Sequence, residues 1–152
     1  PGRFEKGPEM TTAALDAQVG GDHYKGAIQP FQLSMANGHD GCTHAIQKYL
    51  TRFQRKAGIE DLKKAHHICM IRHDTMMDYG VFHPPEKPII QMGDYLRSNK
   101  ASGHAAAALL AMENWFRTVN TDHLRAAEKV RGLIRECAQH HYPETYNEED
   151  FV

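Results

Sequence analysis

The stretch from His44 to Asp78 does most to limit what this chain folds into. It reads HAIQKYLTRFQRK, then AGIEDLKK, then AHHICMIRHDTMMD. Lys48, Arg52 and Lys56 recur every four residues, so on a helix the three cations share one face. Ile46, Tyr49, Leu50 and Phe53 fall on another face, the pattern of a helix with one buried side. Ala57-Gly58 interrupts it, as a glycine just past a helix end does. A second helix follows, with Leu62, Ala65, Cys69 and Met76 as its apolar seam. The spacing predicts a helical hairpin with converging cations, an arrangement suited to binding phosphate.

Ahead of Met10, the segment PGRFEKGPE has no apolar period and reads as a cloning remnant. Residues 10–80 are then expected to form a helical domain, residues 81–142 a helical extension packed on it, and residues 143–152 an acidic tail. The run Gly20-Gly21-Asp22-His23-Tyr24-Lys25 is a turn that delivers a His-Tyr pair. Pro30 opens a short helix reaching Ala36, and Asn37-Gly38 stops it. The proline-rich GVFHPPEKP must be a loop, after which Ile89 to Arg97 suggests another short helix. Ala105 to Val119 is alanine-rich and strongly helical, and Thr121 or Asp122 can cap a last helix carrying Leu124 to Cys137. The tail from Pro143 is poor in apolar residues and reads as disordered or as an interaction arm. No stretch alternates with period two and none repeats, so the expected fold class is all-α, with about five helices.

Several function classes are disfavoured by composition. A chain of 152 residues makes one ordinary domain. Its 18 Lys+Arg and 19 Asp+Glu nearly cancel, which argues against general nucleic-acid binding. Cys42, Cys69 and Cys137 are odd in number and lack CxxC spacing, which fits a reducing cytoplasm. No apolar run is long enough for a membrane span. Eleven histidines leave metal, phosphate and pH-dependent roles open.

A Walker loop is absent, since GGDHYKG lacks both the spacing and the hydroxyl after the lysine. The ExxE cluster that all-α pyrophosphohydrolases use to hold magnesium is also absent. His73-Asp74 suggests a metal phosphohydrolase of the HD type, with His44 and Asp122 as its further ligands, although so short a motif arises easily by chance. His66-His67 and His140-His141 lack the i, i+4 spacing of a helical zinc pair. Lysines and arginines at helical spacing are most often a solvated face. Here, however, few acids in the first helix can pair with Lys48, Arg52, Arg55 and Lys56. Glu60 and Asp61 come later, where they favour the start of the second helix.

His23-Tyr24, Ile28-Gln29-Pro30 and KYLTRFQRKAGIEDLKKA (Lys48 to Ala65) resemble a phage family. It is the small domain of formerly unknown function shared with the nucleotide kinase of T-odd coliphages. Its pattern runs HY, then QP, then GNxxKYxxRxxxKxGxxDLxKAxxY. His23, Tyr24, Lys48, Tyr49, Arg52, Lys56, Asp61 and Lys64 match it, while His44-Ala45 and Ile68 depart from it. The resemblance implies a helical, homo-oligomeric phage protein of the host cytoplasm. It also implies transfer of a phosphoryl group from a nucleoside triphosphate, with magnesium as the possible companion ion, to a deoxynucleoside monophosphate. Most members have no assigned activity, so binding without catalysis is the alternative. In the kinase reading Lys48, Arg52, Lys56 and Lys64 clamp phosphate, with His23, Arg52 and Lys56 as the catalytic candidates. Tyr24 or Tyr49 stacks on a base or donates a hydrogen bond, and Asp61 either caps the second helix or orients a cation.

Overall fold

The computed structural model describes Ala14 and residues 27–152. Six α-helices and two short 3-10 turns make up the regular structure among the described residues, with no strand. The helices are α1 (Pro30–Asn37), α2 (Gly41–Arg52), α3 (Ile59–Tyr79), α4 (Met92–Ser98), α5 (Gly103–Arg117) and α6 (His123–His141). The 3-10 turns are Phe53–Arg55 and Glu148–Phe151. The expected all-α class is the one observed.

Local chemistry explains the helix ends. Pro30 stands in the first turn of α1, and Gln29 and Gln32 bond reciprocally across its start. Gly38 closes α1 in the left-handed region, at φ 69° and ψ 36°. Asp40 caps α2 by accepting from the Thr43 backbone N–H at 2.9 Å and from its hydroxyl at 2.7 Å. Asp122 caps α6 through the Arg125 N–H at 3.0 Å. The helix expected from Ile89 starts later, at Met92. Its first residues are drawn off by Asn37, whose side-chain oxygen accepts the backbone N–H groups of Ile89 and Ile90 at 2.9 and 2.8 Å.

Four helices build the body. α2 packs on α3, α3 on α6, α6 on α5, and α5 back on α2, closing a ring of neighbours around one core. α1 leans on α2, and α4 on α5. Ile46, Leu50, Leu62, Leu109, Met112 and Ile134 fill the centre, each no more than 1 % exposed. Each such side chain contributes about 1.5–3 kcal/mol of apolar burial before chain entropy is counted. On α5 the small residues Ala105 and Ala108 face this core, which lets neighbouring backbones approach closely. The acidic tail, expected to be disordered or an interaction arm, folds back on the body. Phe151 is 3 % exposed and packs in the core cluster, and Asp150 pairs with Lys63 at 3.2 Å. No helix among the described residues is long and apolar enough to cross a membrane.

Candidate functional site

Two of the three expected cations, Lys48 and Arg52, share a helical face, and the third does not. α2 ends at Arg52, and the chain tightens into the 3-10 turn Phe53–Arg55. Lys56 follows at φ −134° and ψ −86°, exposed, off the helical face it was expected to share. The residues that do stack at i, i+4, i+8 on α2 are His44, Lys48 and Arg52. Reading the sequence as one unbroken helix missed His44, although it lies four residues before Lys48.

Three cations gather around Tyr49. Lys48 Nζ lies 4.6 Å from the ring centroid, Arg52 Cζ 4.9 Å, and Lys64 Nζ, arriving from α3, 5.6 Å. Such contacts are worth about 0.5–1 kcal/mol each near the surface. Tyr49 is half-buried and packs against the core cluster.

Asp61 is fully buried in the first turn of α3, where a carboxylate favours the positive end of the helix dipole. It takes Arg52 in a bidentate pair, Nε to Oδ2 and Nη2 to Oδ1, both 3.2 Å. The two roles weighed for Asp61 coexist, since it stands in the first turn of α3 and also holds Arg52. No carboxylate among the described residues pairs with Lys48, Lys56 or Lys64. Three cations against one carboxylate leave two positive charges unmatched around one aromatic ring. His23 and Tyr24 lie outside the described residues.

Behind the stripe runs a buried polar chain that sequence reasoning did not find. Ser34 Oγ lies 2.7 Å from His44 Nδ1 and 3.0 Å from His39 Nδ1. His39 Nε2 reaches Glu113 Oε2 on α5 at 2.8 Å. Gln47 donates to Ser34 Oγ at 3.0 Å and to the Pro30 carbonyl at 2.7 Å, while its own oxygen accepts from Tyr95 at 2.9 Å. At the outer end the His44 ring stacks on Phe31, 4.6 Å between centroids and 28° between planes. Phe31 is 64 % exposed. Burial, then Lys48 and His39, hold the His44 pKa below its ordinary value, so the ring is neutral at neutral pH.

Magnesium does not fit the stripe as a protein-held ion. Its one carboxylate, Asp61, has both oxygens committed to Arg52. His73 and Asp74 bond to each other at 2.9 Å, but their nominated partners are engaged elsewhere, His44 with Ser34 and Asp122 at the start of α6. No group of three or more potential metal ligands gathers among the described residues. Two open clefts, of about 340 and 410 Å³, lie between α5 and α6 and beside the C-terminal turn, and no stripe residue lines either. Comparison with known proteins finds no match among family models, curated proteins or solved structures.

Proposed function

We propose that this protein binds nucleotides, with their phosphates on the cations around Tyr49. One observation carries the reading: Lys48 and Lys64 converge on a single ring with no carboxylate among the described residues to match them. Like charges held together repel, and an anionic ligand relieves that cost. Lysine ammonium groups suit phosphate as compact point charges. The activity that follows from the phage-family resemblance is phosphoryl transfer from a nucleoside triphosphate to a deoxynucleoside monophosphate. Magnesium would then arrive on the triphosphate. A homo-oligomer in the cytoplasm of a bacterial host is the setting this reading carries.

Binding without turnover is the second reading, and the Arg52–Asp61 pair favours it. A guanidinium already held in a bidentate pair is less available to stabilise a transferring phosphoryl group. Calorimetric titration with deoxynucleoside mono- and triphosphates tests both readings. Affinity should drop about tenfold for Lys48→Ala or Lys64→Ala, the loss of one charge-assisted contact. Unchanged affinity in both variants would mean the lysines are a solvated face. Formation of a diphosphate from a supplied monophosphate separates the kinase from the binder.

A further inference from the structure

We propose that His44 is a general base, and that Ser34, His39 and Glu113 carry away the proton it takes, so that this face hydrolyses nucleoside triphosphates with water as the acceptor. The proposal rests on the nucleotide reading above and adds an activity to it.

Counting protons along the chain gives the mechanism. Ser34 Oγ has one proton and two lone pairs, and three neighbours to satisfy. The Gln47 amide donates to it, so one lone pair is taken. With Glu113 a carboxylate, His39 donates through Nε2 and accepts the serine proton at Nδ1. The Gln47 amide spends its two protons on Ser34 and the Pro30 carbonyl and so has none for His44 Nδ1, 3.4 Å away; the second lone pair of Ser34 then accepts from His44 Nδ1–H. That tautomer leaves the His44 Nε2 lone pair available, and Nε2 has no partner among the described residues. The imidazole is half-exposed and sits one helical turn, about 6 Å of rise, from Lys48.

Water gives a proton to His44 Nε2 as its oxygen bonds to the terminal phosphorus. The bond from that phosphorus to the bridging oxygen breaks, and the nucleoside diphosphate leaves with the electron pair. The His44 Nδ1 proton passes to Ser34 Oγ, and the Ser34 hydroxyl proton passes to His39 Nδ1. The new charge thus ends on His39, which has no exposed side-chain surface and lies against Glu113 rather than beside Lys48. Glu113 Oε1 is buried with no hydrogen-bond partner among the described residues, so this carboxylate is stabilised when His39 becomes an imidazolium. A base of this kind suits water. A monophosphate acceptor is largely ionised at neutral pH and has little need of one.

His44 is the catalytic residue in this scheme, and Ser34, His39 and Glu113 are positioning residues. The charged and titratable groups facing His44 are Lys48 and His39. The test uses the full chain with magnesium and each deoxynucleoside triphosphate, reading phosphate release, and follows binding in parallel with a fluorescent triphosphate analogue. Wild-type protein should bind and release phosphate. His44→Gln should bind comparably and lose about a hundredfold in kcat. Glu113→Gln keeps a hydrogen-bond acceptor for His39 but not the charge. It should lower the plateau rate and move the acid limb of the pH profile downward, whereas a merely structural role would leave the limb in place. Thermal melts identify any variant that fails to fold, and Ser34→Ala, which cuts the relay in the middle, then replaces it. Binding without phosphate release, or full activity in His44→Gln, overturns the relay and leaves nucleotide binding standing. Absence of binding overturns both.

Discussion

Arg52 has the role furthest from what its spacing suggests. As a member of a cationic stripe it would be dispensable for folding. Paired with a fully buried Asp61, it is what makes that carboxylate tolerable. Arg52→Ala should therefore destabilise the fold by about 3–5 kcal/mol, the cost of stranding a buried charge. Urea denaturation checks this, and a near-normal midpoint would show that water reaches Asp61. His66 offers a second test at this scale. It accepts a hydrogen bond from Arg135 at Nε2, 3.1 Å, and lies edge-on to Phe151. Burial, then Arg131, Arg135 and His67, lower its pKa from 6.5 to about 3. The folded state thus refuses a proton that the unfolded chain accepts below pH 6.5. Its contribution to stability is whole above that pH and is lost progressively toward pH 3, by at most about 1.4 kcal/mol per pH unit. Denaturation midpoints of wild type and His66→Gln should diverge in slope across this window. Parallel curves would count against the assignment.

At the scale of elements, the junction between α2 and α3 brings Lys64 to Tyr49. Gly58 stands there at φ 60° and ψ −133°, a conformation that side chains avoid, and an added Cβ would lie 3.4 Å from the Tyr142 hydroxyl. Gly58→Ala should cost about 1–3 kcal/mol and weaken nucleotide binding through the displaced Lys64. Equal stability and equal affinity would show that the junction relaxes freely. Helix existence was largely legible in the sequence, because apolar spacing and caps such as Pro30, Asp122 and Ala57-Gly58 are local signals. The end of α2 was not. Nothing between Arg52 and Lys56 breaks a helix by composition, and the 3-10 tightening accompanies the burial of Phe53 against the core, a tertiary effect. That one turn takes Lys56 off the face that Lys48 and Arg52 share and leaves His44 as their neighbour on it. The relay was illegible for a related reason, since Glu113 lies 74 residues from His39 and no periodicity links them.

For the molecule as a whole, closure of the four-helix ring depends on the last residues of the chain as well as on the helices. Phe151 stacks on Tyr146 and lies against His66, which covers the seam where α3 meets α6. Phe151→Ala should cost about 3–5 kcal/mol, as for other buried aromatics, and should also raise the His66 pKa by admitting water. Calorimetric melting at two pH values checks both effects, and a variant as stable as wild type would show the tail to be an ornament. Composition misled here, because an acidic stretch reads as solvated while its one aromatic anchor is easily overlooked.

The lock between Arg52 and Asp61 also bears on what the surface can tell apart. With the planar fork engaged, an incoming anion meets two rotatable ammonium groups, which impose little directional preference. Discrimination among ligands should then track how many negative charges they carry rather than how their oxygens are arranged. Affinity would climb from mono- to triphosphate, vary little with the base, and fade as ionic strength rises.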